Sequence, residues 1–224
     1  MSPSTPDSPD RLRDLAGLAS LDEPVRRRLY EYVSDAGRPV SREEAAGATG
    51  IARTLAAYHL DRLAEAGLLA TTYQRPAGRS GPGAGRPAKL YRQADQELTV
   101  SVPPRAYELL ARLLAEAAES DTTGRVRSTL NGAAHSLGRQ VGTEAGGDLV
   151  TALRGCGYQP QTSPDGGLEL RNCPFHRLAQ EHRDLVCGLN LSLVEGVIAE
   201  STRPHARAQL SPSPGRCCVV LRAA

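Results

Sequence analysis

The 224-residue chain has no tryptophan, one phenylalanine and one methionine. A core without large aromatic side chains must be filled by leucine, valine and alanine, which excludes an aromatic-rich sandwich and favours packed helices. No run approaches the roughly 18 uninterrupted apolar residues of a membrane span. The opening MSPSTPDSPD lacks the basic-then-apolar order of a secretory signal. These absences predict a cytoplasmic protein with no membrane partner. Nucleophile elbow, phosphate loop and HExxH are missing as well, so no enzymatic role is expected. Paired acids such as Asp22 with Glu23 and Glu43 with Glu44 each open a helical pattern and read as N-terminal charges rather than acid/base pairs.

The net charge of +2 is too small to argue for a nucleic-acid partner by itself. Lys89 is the one lysine, so almost all positive charge is arginine, and its distribution has to decide. The length exceeds the usual single domain of about 100–150 residues, which predicts two compact modules. Five cysteines, Cys156, Cys173, Cys187, Cys217 and Cys218, all fall in the last third. In a reducing compartment they read as thiols, metal ligands or redox sensors rather than a disulfide framework.

Along the chain, the Pro/Ser/Asp-rich start reads as a flexible arm over residues 1–20. Asp22 is a possible cap for a helix in which Val25, Leu29, Tyr32 and Val33 recur before Gly37. Ser41 and Glu44 form a capping-box pair opening a short helix that stops near Gly50. From Ile51 to Ala66 a longer helix carries an apolar stripe of Ile51, Leu55, Leu60 and Leu63, and Gly67 offers a left-handed stop. Two helices joined by a three- or four-residue turn with glycine form a helix-turn-helix. Ala70–Arg75 and Lys89–Tyr91 read as antiparallel strands around a loop with four glycines and three prolines.

Major-groove recognition needs a narrow element carrying base-edge donors, with cations close by for phosphates. Burying the stripe of the longer helix turns Arg53, Thr54, Tyr58 and Arg62 outward. Arg53 is the expected guanine contact, and Thr54 and Tyr58 are expected at phosphate or a thymine methyl. His59 flanks the stripe and reads as packing before base reading. Arg79, Arg86 and Lys89, in an interval without acidic residues, predict a basic wing on double-stranded DNA. The run IARTLAAYHLDRLAEAGLLATTYQR followed by GAGRPAKLYR resembles the ArsR-related winged-helix regulators of bacteria over about Leu21 to Arg92. That resemblance implies a homodimer on a roughly palindromic operator. No paired metal-ligand cysteines lie on the recognition helix.

The domain expectation is a winged helix-turn-helix over 21–95, a helical linker or dimerisation region over 96–145, and a small α+β sensor module over 146–224. In the middle region, Val126, Leu130, Ala133, Leu137 and Val141 alternate steps of four and three, the seam of a helix packed along a partner helix, within its own subunit or across a dimer. The whole is mainly α with α+β.

The segment NCPFHRLAQEHRDLVCGLN and the later PGRCCVV resemble the C-terminal sensor region of SufR-type regulators, which implies an iron–sulfur cluster held by widely spaced cysteines. Cys173, Cys187 and Cys217 are the expected ligands. Cys173 precedes Pro174 and Cys187 falls soon after Asp184, so both sulfurs should face helix starts, where amide dipoles favour a thiolate. Cys217 and Cys218 read as neighbours in a strand, pointing to opposite faces, so that only one joins the site. His176, Cys156, a carboxylate or an outside molecule compete for the fourth position. Zinc is the alternative metal, although no close cysteine pair of the C-x₂₋₄-C kind is present; an organic ligand in the same module is the other alternative. The expected function is a DNA-binding transcription regulator sensing redox, nitric oxide or iron–sulfur status.

Overall fold

The computed structural model describes residues 9–74, 87–101, 105–203, 206–213 and 215–222. It is mostly helical with two small sheets, and divides into two compact units, Met1–Arg105 and Ala106–Ala224. Among the described residues no helix is long and apolar enough to cross a membrane.

The first unit contains α1 (Pro9–Ser20), α2 (Pro24–Ala36), β1 (Val40–Ser41), α3 (Arg42–Thr49), α4 (Arg53–Glu65), β2 (Leu69–Gln74) and β3 (Ala88–Gln93). Its strands form an antiparallel sheet in the order β1-β3-β2, with Thr71 opposite Tyr91. The cap of α2 is Glu23 rather than Asp22: its carboxylate accepts from the amides of Val25 and Arg26. The capping box of α3 forms as expected, Ser41 Oγ accepting from the Glu44 amide at 3.1 Å while the Glu44 carboxylate accepts from Ser41. Gly50 ends that helix at φ 70°, a left-handed turn that sets α4 across it. Leu29, Val33, Val40, Ala56, Leu60, Leu63, Leu69 and Tyr91 fill the core.

Residues 9–20, expected within a flexible arm, form α1 instead. The helix is fastened to the unit: a Cβ on Gly17 would meet Leu98 Cδ1 at 2.5 Å and the Ala66 carbonyl at 3.2 Å, and Asp14 accepts from the Thr99 amide. A short helix of low apolar content is stabilised by docking rather than by its own propensity, which composition does not reveal.

The second unit contains α5 (Tyr107–Glu119), α6 (Arg125–Glu144), α7 (Leu149–Gly155), β4 (Pro160–Thr162), β5 (Leu168–Leu170), α8 (His176–Glu181), α9 (Arg183–Ala199), β6 (Arg207–Leu210) and β7 (Val219–Arg222). The sheet is antiparallel in the order β4-β5-β7-β6. Leu153, Leu170, Val194, Val197, Val219 and Leu221 are its deepest side chains. The helices expected to form a separate linker belong to this unit, whose boundary falls at Arg105. The reason is the crossing of α6 and α9. Its closest contacts are made by Ala134, Gly138 and Gly142; of the expected seam, Val141 and Leu130 pack on buried cores, whereas Val126 and Leu137 stay 42% and 53% exposed. A Cβ on Gly138 would stand 2.1 Å from the Leu193 carbonyl, and one on Gly196 2.1 Å from the His135 carbonyl. The two backbones touch where neither helix carries a side chain.

Candidate nucleic-acid interface and thiol site

Helix α4 buries Ala56, His59, Leu60 and Leu63, a stripe at steps of three, one and three. Leu55, expected inside, is 41% exposed, and Ala56 takes its place. The smaller side chain fits the close approach of α4 to the core, and the larger is left beside Tyr58 on the outer face. An outward leucine early in a helix has the kind of apolar surface for which a thymine methyl offers a partner. His59 is buried with its ring edge on Tyr58 and its Nδ1 3.6 Å from Glu23, in keeping with packing.

Arg53, Thr54, Tyr58 and Arg62 all lie exposed on α4. Arg53 Nη2 pairs with Glu43 of α3 at 2.7 Å, with both side chains more than half exposed. Such a pair contributes under about 1 kcal/mol and yields readily to a stronger anion or a guanine edge. Arg62 lies 5.6 Å over the Tyr58 ring and pairs with Glu65 at 3.0 Å. Arg79 and Arg86 lie outside the described residues.

Lys89 takes a different position from a free wing cation. Its Nζ donates to Asp61 Oδ1 at 2.6 Å, and Tyr91 Oη donates to the same oxygen at 2.8 Å. Asp61 thus ties the recognition helix to β3. Partial burial opposes its ionisation, but the bonds from Lys89 and Tyr91 outweigh that and hold its carboxyl below the usual 3.8. Replacing Asp61 by Asn is expected to destabilise the first unit by about 1 kcal/mol, the low end for a charged hydrogen bond because the pair is half exposed. The carboxylate's contribution is present above the ordinary pKa and disappears as pH falls through the lowered one. Denaturant unfolding of wild type and variant should therefore differ near neutrality and converge in acid.

In the second unit four cysteines come together. Cys173 lies in the loop after β5, Cys187 on α9, and Cys217 and Cys218 in the turn leading into β7. Cys173 and Cys218 pack on the core that contains Cys217, and Cys187 lies near enough to act on the charge of Cys173 and Cys218. Backbone bonds fix the turn: the Cys217 amide donates to the Leu170 carbonyl at 2.8 Å and the Ser211 amide to the Cys218 carbonyl at 2.6 Å. Because β7 begins at Val219, strand alternation does not reach the cysteine pair, and Cys218 packs against the same core in which Cys217 is buried.

The surroundings supply donors to sulfur. The Phe175 amide donates to Cys173, the Val219 amide to Cys217 at 3.5 Å, and Asn190 Nδ2 to Cys217 at 3.1 Å. Asn190 follows Cys187 by three residues, so α9 presents both to the site, and its Oδ1 accepts from the buried Tyr158 hydroxyl. This Tyr158–Asn190–Cys217 chain was not read from the sequence, where the helical offset from Cys187 was the available signal. The neighbouring thiols of Cys173 and then Cys218 outweigh burial and hold the Cys217 thiol far below its ordinary value. Nearness to Cys217, with burial, pushes Cys173 and Cys218 up.

Cys173 receives an amide as expected ahead of α8, but Cys187 is the fifth residue of α9, past its opening turn. His176 is exposed and hydrogen-bonds Gln180 at 3.0 Å, so it turns away from the thiols. His182 bonds Glu119 at 2.8 Å, linking α9 to α5. Cys156 ends α7 and packs on the same core, where burial raises its thiol. Among the described residues no three His, Cys, Asp or Glu side chains close around a point as a single metal ion requires. In donor chemistry, an all-sulfur set served by amide and carboxamide N–H groups fits a thiolate-ligated iron–sulfur cluster.

Residues 21–72 match the family described as a helix-turn-helix domain, a segment that takes in α2, β1, α3, α4 and the start of β2. No curated protein and no solved structure matches the chain. The match and the fold agree on where DNA would be met, and the chain carries the helix-turn-helix domain of a DNA-binding transcription regulator.

Proposed function

We propose that the protein is a homodimeric transcription regulator that binds a palindromic operator through α4 and its wing, and senses redox, nitric oxide or iron–sulfur status through a cluster held by Cys173, Cys187 and Cys217. The observation that carries the sensing half is the meeting of these three distant cysteines in one buried site beside Asn190. On the DNA side, Arg53 and Leu55, exposed early in α4, are the proposed base-edge contacts and Thr54, Tyr58 and Arg62 the proposed phosphate contacts, with Arg79 and Arg86, between β2 and β3 in the sequence, as the proposed wing cations. Lys89 contributes chiefly by orienting the wing strand through Asp61.

When bound, the cluster supplies one-electron redox chemistry and reactivity toward oxygen and nitric oxide. The chain's own residues do the rest. The proposed ligands come from the loop after β5, from α9 and from the turn before β7, Asn190 directs an N–H at Cys217, and Tyr158 fixes the carboxamide. Coupling to DNA requires the loaded and metal-free forms to differ in operator affinity. Protein purified without oxygen is expected to hold iron and sulfide, absorb broadly near ~400 nm, and bind a selected operator with an affinity that changes when the metal is removed. Colourless protein that takes up neither iron nor sulfide would overturn the sensing half, and zinc content would then decide between a structural zinc site and an organic ligand in the same module.

A further inference from the structure

We infer that α5 is a releasable strap, clamped to α8 and the start of α9 by charge more than by apolar packing, which opens by itself while the rest of the second unit stays folded. Glu108, Arg112, Ala115 and Glu119 recur at steps of four, three and four, so one face of α5 carries ionisable groups along its whole length. Against that face, Arg177 Nη2 pairs with Glu108 at 3.1 Å, Arg112 Nε with Glu181 at 3.0 Å, and His182 Nδ1 bonds Glu119 at 2.8 Å. The apolar part of the contact is small: Ala115, Ala118 and Leu185 are buried, with Leu130 and Leu178 partly buried against them. The large apolar residues Leu109, Leu110, Leu113 and Leu114 are exposed instead. Both arginine pairs have side chains a third or more exposed, so their attraction is weak and is screened by salt. His182 is buried, and closure leaves its Nε2 without a hydrogen-bond partner among the described residues, a cost that opening to water removes.

The neighbouring helices do not depend on the strap. Helix α9 is held by its backbone contact with α6 at Gly138 and Gly196 and by Val194 and Val197 in the main core. The turn between α5 and α6 carries its own bonds, Asp121 accepting from the amides of Thr123 and Val126 at 2.9 and 2.8 Å. A helix held by screened ion pairs and a few small side chains lies at the low-stability end of its unit and opens first. The chain leaving the first unit at Arg105 enters the second through α5. Ionic strength thereby sets whether the exposed leucines are presented as one ordered helical face. The strap needs nothing from the cysteines and stands whether or not they hold a cluster.

The test is hydrogen–deuterium exchange of the full chain, read by mass spectrometry in peptides of α5 and of α9, for wild type, Arg112→Glu and the charge swap Arg112→Glu/Glu181→Arg. Several dilutions separate cover of the outer face by a second copy from closure of the inner one. In dilute wild type, α5 is expected to exchange roughly tenfold faster than α9. It should exchange several-fold faster again in about 1 M sodium chloride, where the screening length falls to about 3 Å. Arg112→Glu should reproduce that rise at low salt, the swap should return α5 to within about twofold of wild type, and α9 should be unchanged throughout. Protection of α5 equal to that of α9 at the lowest concentration would overturn the strap, and so would loss of protection in both helices together in Arg112→Glu. Equal exchange of α5 in Arg112→Glu and in the swap would overturn the clamp by charge.

Discussion

Replacing Gly196 by alanine is expected to disrupt the second unit. The added methyl would stand 2.1 Å from the His135 carbonyl, 3.0 Å from the Arg139 amide nitrogen and 3.0 Å from Gly138 Cα. Every one of those atoms is backbone, so no side chain can rotate aside, and α6 and α9 would have to move apart by more than an ångström. Overpacking a tight contact costs about 1–3 kcal/mol. The upper end applies here, because separation also loosens Val194 and Val197, which are fully buried from the same helix. Gly132 provides the opposite case on α6: a Cβ there meets nothing within 4 Å. Gly132→Ala should therefore stabilise the helix by up to ~1 kcal/mol. In thermal unfolding followed by circular dichroism, G196A should melt roughly 10 °C or more lower, given about 4 °C per kcal/mol for a unit of this size. G132A should melt at or above wild type. Equal melting of G196A and wild type would contradict the close crossing. Since α9 also carries Cys187 and Asn190, G196A should, under the proposed cluster reading, weaken iron retention together with stability.

This crossing also explains where the sequence misleads. Periodicity of large apolar residues is the strongest signal of a helix face, and it found the right stripe in α2 and most of α4. Leu55, Val126 and Leu137 deceived it for one reason: small residues, which hydropathy scores as weak, take the buried positions beside them, Ala56 in α4 and Ala134, Gly138 and Gly142 in α6. Turn chemistry proved more dependable. Ser41, Glu44, Gly50 and Gly67 set the ends of α3 and α4 through local hydrogen bonds and positive φ, terms that depend on few distant contacts. In the candidate sensor site, the spacing of Cys173 and Cys187 was informative because a loop and a helix had to bring them together. Cys217 and Cys218 read as strand residues because they run directly into β7, but the strand begins at Val219, so the alternation of side chains between faces does not extend to them.

Helix α5 leads to the last expectation, which concerns assembly. Its inward positions are Ala115 and Ala118, whereas Tyr107, Leu109, Leu110, Leu113 and Leu114 are all more than half exposed. That inverts the amphipathic pattern of a helix covering its own core, and a contiguous apolar face of this kind marks an interaction surface. A second copy of the chain is the occupant consistent with a palindromic operator, because a two-fold axis pairs identical faces. Glutamate at Leu110 and Leu114 would place charges inside that contact, where an unpaired carboxylate costs several kcal/mol. The double variant L110E/L114E is expected to sediment as a monomer at micromolar concentration. Its second unit should melt near the wild-type temperature, since neither side chain supports the unit's own core. Operator affinity should fall by about 10²–10⁴, the gain that linking two heads provides without any new contact, while a single half-site should bind as before. A variant that keeps the wild-type mass and operator affinity would move the dimer contact away from α5.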